Sequence, residues 1–345
     1  INFGDTWKSI VTFVKKHHLV LLNLIPLFVS IFLRVGPAYL PEAENLAMGN
    51  VDQTIKDFLR QTVSAQYPQL PDDKRQQLVD ERFLEIKKQG TFTVNGQTLV
   101  IEDLVKQATT ELKNSFQDDT GQTYLIAIDP YYYSRQARNY VEHGFEDDTE
   151  IDGKYYPTLS AGGFPVAMKK GTTEKIGSFH TFSQVVVYKI MNLFGDASVM
   201  KASFYIPVII SALAIFPAFF IARRIAGDFA GFFASLLVAM HPSFLIRTVA
   251  GFSDTDGYNV TLPLFIMWFF LEALEAKDTK KIILFSGLAA LVTGIFSFTW
   301  GGWWFIFDFV LLVFLVFLGY ELVKIGIDKY KQKERDVRKD LQTLK

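Results

Sequence analysis

Apolar residues fall in blocks roughly twenty long, one near the start of the chain and the rest between residues 200 and 323, with short charged stretches between them. A bilayer core about 30 Å thick needs about 20 apolar residues per helical pass. On that measure the pattern predicts six spans, at about 19–37, 202–222, 228–245, 258–274, 282–299 and 303–323. Residues 38–199 are mixed and polar and read as one long loop. Within that loop, 179–194 (FHTFSQVVVYKIMNLF) is apolar but too short for a pass and holds Lys189. It reads as an amphipathic helix lying on the membrane surface.

Finer patterning divides the long loop. Residues 41–128 read as a small α+β insert. It has a helix over 73–89 with acidic residues at its start, alternation over 91–101 around Asn95–Gly96, and a second helix over 101–116. Alternation about an Asn-Gly pair is a strong hairpin signal. The insert reads as a cap or docking element rather than a catalytic unit. Arg34 lies near the far end of the first span, where a long cationic side chain is expected to snorkel toward the headgroups.

Charge sets the orientation. Lys15 and Lys16, Arg223 and Arg224, Lys277, Lys280 and Lys281, and Lys324, Lys329, Lys331 and Lys333 all fall on one side of a six-span arrangement. Short basic loops mark the cytoplasmic face. The opposite face carries 38–199, 246–257 and the turn Gly301–Gly302, with Arg247 the basic residue of its short connections. The chain therefore divides into 1–37 (cytoplasmic start and first span), 38–199 (external loop, with the insert at 41–128 and a second part at 129–199), 200–323 (five further spans) and a charged cytoplasmic tail, 324–345. The fold class is an all-α polytopic membrane protein with a long external loop carrying the α+β insert. The chain starts at Ile1, and its first apolar block lacks a small-residue cleavage site. That block reads as a retained span in a sequence trimmed at one or both ends. Composition adds exclusions. The chain has no cysteine, so neither a disulfide framework nor a thiolate metal site is available. A formal net charge of -1 argues against nucleic acid as a partner.

Candidate chemistry sits on the external face. Asp129 lies in the run Ala127-Ile-Asp-Pro-Tyr-Tyr-Tyr-Ser-Arg-Gln-Ala-Arg-Asn139, and Asp254 and Asp256 lie in Arg247-Thr-Val-Ala-Gly-Phe-Ser-Asp-Thr-Asp-Gly257. Carboxylates two apart in extended backbone point to the same side, repel one another, and so favour a bound cation. Oxygen ligands suit hard ions such as Mg2+ or Mn2+. A simpler reading stays open at this point: Asp254 as the N-cap of the fourth span, and Asp129 before Pro130 as a helix start. The neighbours favour chemistry. Tyr131, Tyr132, Tyr133, Arg135, Arg138 and Arg247 suit a substrate that is both anionic and lipid-linked. The five histidines form no cluster in sequence, and His143 and His180 read as external interfacial residues.

These residues carry a resemblance. Asp129-Pro-Tyr-Tyr-Tyr-Ser-Arg135, with Asn139-Tyr and Gly144 after it, resembles the first acidic motif of the catalytic subunit of oligosaccharyltransferase. Residues 229–257 resemble that family's third span and second acidic motif, and Trp300-Gly-Gly-Trp-Trp304 fits its aromatic turn. The likeness covers roughly 1–37 and 127–323 and is nearest the archaeal AglB-type branch. It implies a partial GT-C membrane fold. It implies transfer of an oligosaccharide from a polyprenyl (dolichyl) phosphate or diphosphate to asparagine of Asn-X-Ser/Thr in an acceptor polypeptide. By resemblance, Asp129, Asp254 and Asp256 are ligands of Mn2+ or Mg2+, Asp129 lies beside the acceptor amide, and Arg247 lies near the phosphate. Tyr131 and Arg135 are read as substrate contacts. The active face is extracytoplasmic, in an archaeal cell membrane or, failing that, the endoplasmic reticulum membrane. The family continues into further spans, a later external loop with an acidic residue, and a soluble domain with a WWDYG-type motif. None of these falls within the 345 residues, which read as an N-terminal transmembrane portion. Two alternatives stand beside this reading: a GT-C glycosyltransferase with another acceptor, and a non-catalytic membrane subunit that binds lipid-linked sugar.

Overall fold

A computed structural model describes the backbone of residues 3–343 except residue 95 and residues 161–162 and 167–170, and the side chains of 18–332 with the same gaps. Five helical stretches are long and apolar enough to cross a membrane: His18–Ala38, Val199–Met240, Asp256–Glu275, Thr279–Ser297 and Trp304–Gln332. They belong to helices α1 (Phe3–Val35), α7 (Val199–Leu213) with α8 (Ile215–Met240), α10 (Asp256–Glu275), α11 (Thr279–Ser297) and α12 (Trp304–Thr343). A short helix α9 (Pro242–Ile246) follows α8.

The 42-residue stretch Val199–Met240 folds back on itself. Inside α8 the backbone leaves helical geometry at Ala226 (φ −140°, ψ 26°) and Gly227 (φ 78°, ψ −168°). A Cβ built on Gly231 would then stand 2.8 Å from the Phe219 carbonyl oxygen. In a straight helix those residues would be about 18 Å apart along the axis. The chain has turned back on itself, and Gly231 is the residue that admits the close crossing. The second and third predicted spans are thus two helical segments packed against each other.

At the end of the bundle bearing this turn, charges pair off. Arg223 Nε lies 2.5 Å from Asp228, His18 lies 3.2 Å from the same carboxylate, and Arg224 bridges Glu272 and Glu275. The elements of the long loop crowd the other end. They are α5 (Ile128–His143), a two-stranded ribbon β3 (Thr149–Ile151) and β4 (Lys154–Tyr156), and α6 (Phe179–Met191). Helix α6 is amphipathic as expected: His180, Thr181, Gln184 and Val185 are buried, while Phe182 and Ile190 are exposed.

The insert has its own core. It comprises α2 (Ala43–Gln66), α3 (Asp72–Gln89), the hairpin β1 (Thr91–Val94) and β2 (Gln97–Val100), and α4 (Ile101–Ser115). Strands β1 and β2 pair antiparallel with Val94 opposite Gln97, and Gly96 takes a φ of 78°, as the hairpin reading requires. Asn95 itself is outside the described residues. Ile55, Leu59 and Val63 of α2 meet Val79, Phe92, Ile101 and Val105, with the Phe58 and Phe92 rings edge to face at 5.3 Å. The two ends of the insert come together where the Thr123 hydroxyl reaches the Ala38 carbonyl at 3.4 Å.

Three expectations change. Helix α2 was not anticipated. The charged tail is no separate element, because α12 runs unbroken over 40 residues. Arg34 does not snorkel: it is 0% exposed. Its guanidinium donates to the Thr248 hydroxyl at 2.8 Å, the Ala239 carbonyl at 2.8 Å and Ser30, and stands 5.0 Å from the Phe244 ring centre. Backbone acceptors at a helix end can hold a cation that finds no carboxylate.

Replacing Phe92, the aromatic centre of the insert's core, by alanine is expected to destabilise that unit by about 3–5 kcal/mol. Limited proteolysis should then cut within 43–115 while the spans stay protected. Unchanged cleavage of the insert would contradict the assigned core.

Candidate active site

The two acidic runs are stitched together by main chain. The Ile126 N–H donates to the Gly251 carbonyl at 3.0 Å, and the Gly251 N–H donates to the Phe204 carbonyl of α7 at 2.8 Å. Each bonded residue lies three positions before its aspartate, Asp129 or Asp254. Gly251 has φ +92°, and a Cβ there would stand 2.9 Å from the Phe204 ring and 3.1 Å from the Ile126 side chain. Glycine is required on both counts. The neighbouring Ala250 N–H donates to the Arg34 carbonyl at 2.8 Å, so the second acidic run also hangs from the end of α1. Leu125, Phe204, Val208 and Ala250 form the apolar cluster beneath it.

From this junction each aspartate reaches the same region. Asp129 occupies the first turn of α5, just before Pro130. Negative charge there is favoured by the helix dipole. Asp256 opens α10. The extended geometry expected between Asp254 and Asp256 is not what forms. Thr255 is helical (φ −75°, ψ −7°), and its N–H donates to Asp254 Oδ1 at 2.6 Å. The pair therefore sits on a tight turn leading into α10, whose N-cap position is Thr255 rather than Asp254, and its two carboxylates still repel each other. Tyr133, one turn after Asp129, reports the convergence. Its phenol is pushed up to about 12, chiefly by burial and then by the charges of Asp254, Asp129 and Asp256. Among the described residues no three His, Asp or Glu side chains stand close enough to share one ion. Asp129, Asp254 and Asp256 thus form no closed three-carboxylate cage.

Of the cations, Arg247 stays outward. It is 61% exposed at the side chain, 3.8 Å from Asp256, and 5.3 Å from the Phe252 ring centre. Arg135 is turned inward instead: it donates to the Leu159 carbonyl at 3.0 Å, faces Asp148 at 3.4 Å, and lies over the Tyr132 ring. Asp148 is pushed up by burial, but hydrogen bonds from Thr158 and Asn139 and the Arg135 charge outweigh that and hold it below the usual range. Tyr131 is exposed on a different face of α5 from Asp129, as a spacing of two residues on a helix dictates. Neither Tyr131 nor Arg135 shares the aspartates' face.

Sequence reasoning missed the residue packed behind all of this. His180 of α6 is fully buried, not interfacial. Its ring nitrogens lie 3.2 Å from the Tyr258 hydroxyl and 3.2 Å from the Ser253 carbonyl, and Tyr133 packs edge to face on it at 4.7 Å. The available signal was the pair His180 and Gln184, one turn apart on the inner face of an amphipathic helix.

Burial pushes the His180 imidazole down to about 4. An unfolded chain takes up that proton near pH 6.5. Stability is therefore complete above about pH 6.5 and falls as the pH drops toward 4, by roughly 3 kcal/mol. Melting temperature in detergent should follow this course, and His180→Gln should flatten it; an equally steep fall in the variant would assign the effect to other groups. Gly251→Ala combines a positive φ with a close approach and should cost at least about 2 kcal/mol, read as a drop in melting temperature. A variant as stable as its parent would show that the junction relaxes freely.

With that geometry in place, comparison with known proteins identifies the family. Residues 98–327 match the family described as Oligosaccharyl transferase STT3, N-terminal. A dolichyl-phosphooligosaccharide-protein glycotransferase of Methanococcus voltae is 35% identical over 234 residues, covering 65% of this chain and 25% of that protein. One of the same description from Methanocaldococcus jannaschii is 30% identical over 196 residues, covering 52% and 20%. The chain thus spans about a quarter or less of the length of these relatives. Among solved structures, the archaeal oligosaccharyltransferase AglB from Archaeoglobus fulgidus, in complex with an inhibitory peptide and a dolichol-phosphate, aligns with a TM-score of 0.43 and 23% identity, covering 56% of this chain and 22% of that one. The match across two thirds of its residues, both acidic runs included, places this chain in the STT3 oligosaccharyl transferase family.

Proposed function

We propose that this chain forms the membrane part of an oligosaccharyltransferase. Its reaction moves an oligosaccharide from a polyprenyl (dolichyl) phosphate or diphosphate to the asparagine of Asn-X-Ser/Thr in an acceptor polypeptide. The observation that supports the reading is the Ile126–Gly251 bond, which ties the main chain three residues before Asp129 to the main chain three residues before Asp254. Family membership and the names of the archaeal relatives support it. The charge pattern of the short loops supports an extracytoplasmic active face.

Asp129, Asp254 and Asp256 would hold Mn2+ or Mg2+. The donor set fits: three carboxylates offer the oxygen ligands hard cations take, and their repulsion favours a bound positive charge. When bound, the ion offsets charge growing on the leaving phosphate. The chain's own groups do the rest. Asp129, exposed at the start of α5, accepts from the acceptor amide. Arg247, outward and only loosely paired, donates to phosphate oxygens. Tyr133, held neutral by burial and the nearby carboxylates, keeps an O–H to donate. Arg135 supports the segment 146–159 that backs α5.

The test is transfer from a lipid-linked oligosaccharide to a peptide carrying Asn-X-Ser/Thr, with the protein in nanodiscs. Transfer should need Mn2+ or Mg2+, vanish when the peptide's Asn becomes Gln, and fall at least about a hundredfold in Asp129→Asn and Asp254→Asn. Full activity in either variant would overturn the assignment. Sugar transfer that ignores the peptide's Asn would point to a different acceptor.

A further inference from the structure

We propose that His180 is a positioning residue: its imidazole, seated between α5, the acidic turn and the start of α10, fixes the placement of Asp254 and Asp256 relative to Asp129. The link from that placement to chemistry rests on the function proposed above.

The ring's partners lie on both flanks of the acidic turn. Ser253 immediately precedes Asp254, and Tyr258 follows Asp256 by two residues. A carbonyl can only accept, so the Ser253 oxygen at 3.2 Å puts the proton on Nε2. Nδ1 is then a lone pair, and the Tyr258 hydroxyl at 3.2 Å donates to it. The Gln184 terminal amide lies 2.8 Å from Nε2 and 2.8 Å from the Ser203 hydroxyl. With its oxygen toward the ring and its nitrogen toward Ser203, an orientation open to any side-chain amide, the amide oxygen shares the Nε2 proton with the Ser253 carbonyl and an amide N–H donates to the Ser203 hydroxyl. The Ser203 hydroxyl continues to the Val199 carbonyl at 2.9 Å. One ring is thereby bonded before and after Asp254-Thr255-Asp256, and Gln184 anchors it through Ser203 to α7.

The third side of the ring faces Asp129's helix. Tyr133 lies edge-on at 4.7 Å, one turn from Asp129. His180, Gln184, Ser203 and Ser253 are all 0% exposed and Tyr258 is 1% exposed. Polar groups packed this way keep only the arrangement that satisfies them, because an unpaired member is costly where water cannot reach. The aspartates themselves are partly or fully exposed and have no such restraint of their own. The imidazole supplies it without touching them.

Three variants of the protein in nanodiscs test this: His180→Ala removes both bonds, His180→Gln keeps a donor where Nε2 stood, and Tyr258→Phe deletes one hydroxyl and leaves the ring in place. Hydrogen exchange of residues 250–258 reads the position of the turn, and exchange of α2, in the separate insert, serves as the internal reference. Loss of free Mn2+ signal by electron paramagnetic resonance reads the site. His180→Ala should speed exchange at 250–258 about tenfold or more with α2 unchanged, and weaken Mn2+ binding about tenfold or more, as supporting-shell losses do. His180→Gln should recover much of both, and Tyr258→Phe should fall between. Should His180→Ala fail to fold, Tyr258→Phe decides alone. Exchange unchanged at 250–258, or raised equally in α2, overturns the inference. If neither the parent nor Asp254→Asn takes up Mn2+ while the exchange response holds, the metal reading fails and the positioning role stands.

Discussion

The hydrogen bond from the Ile126 N–H to the Gly251 carbonyl is the constraint on which the site depends. It joins a segment leaving the insert to a turn between two membrane helices, stretches that share no secondary-structure element. It fixes the start of α5, a helix that also packs on α6 and α7, against the acidic turn. Main-chain stitching of this kind requires the two backbones to approach closely, and the glycine at 251 supplies the space. The bond is also sheltered, since Phe204 and Leu125 pack beneath it. A backbone pair shielded from water is expensive to leave open.

Around that stitch the bundle buries more polar groups than an apolar core would need. Among the described residues Arg34 has no carboxylate partner, and one of its nitrogens, Nη2, is buried without a hydrogen bond. It is held by a hydroxyl, two carbonyls, a serine and an aromatic ring. On the other flank His180 and Gln184 hold the turn from α6. Such groups add little net stability but admit few alternative registers, because a slip would strand a charge or a donor in a low-dielectric interior. The acidic turn is thus gripped from α1 on one side and from α6 on the other.

Much of this was legible in the residues. Apolar block length marked the spans, Asn95–Gly96 marked the hairpin, and Asp129-Pro130 marked a helix start. What stayed hidden depends on tertiary contact. Helix α2 carries Gly49 and several β-branched residues, and its apolar positions, Ala43, Ala47, Ile55, Leu59 and Val63, form a stripe that gains meaning only against α3 and α4. Arg34 was expected to reach for water because nothing local shows that α8 and α9 close over it. Spacing alone suggests extended backbone at Asp254 and Asp256, whereas Thr255 is helical and the chain turns directly into α10. The role of His180 was invisible because its partners lie on other elements. One histidine on an amphipathic helix gives no warning of that.

The closure of the insert at Ala38 and Thr123 has a consequence of its own. A unit whose two ends meet, and whose apolar core is made wholly of its own residues, is a module in the topological sense. Its size and surface can diverge between related proteins without transmitting strain to the aspartates, because the chain leaves and rejoins the bundle at one point. Most of the insert also precedes residue 98, where the family match begins. This lobe is accordingly the part of the molecule whose length can change without moving Asp129 relative to Asp254 and Asp256.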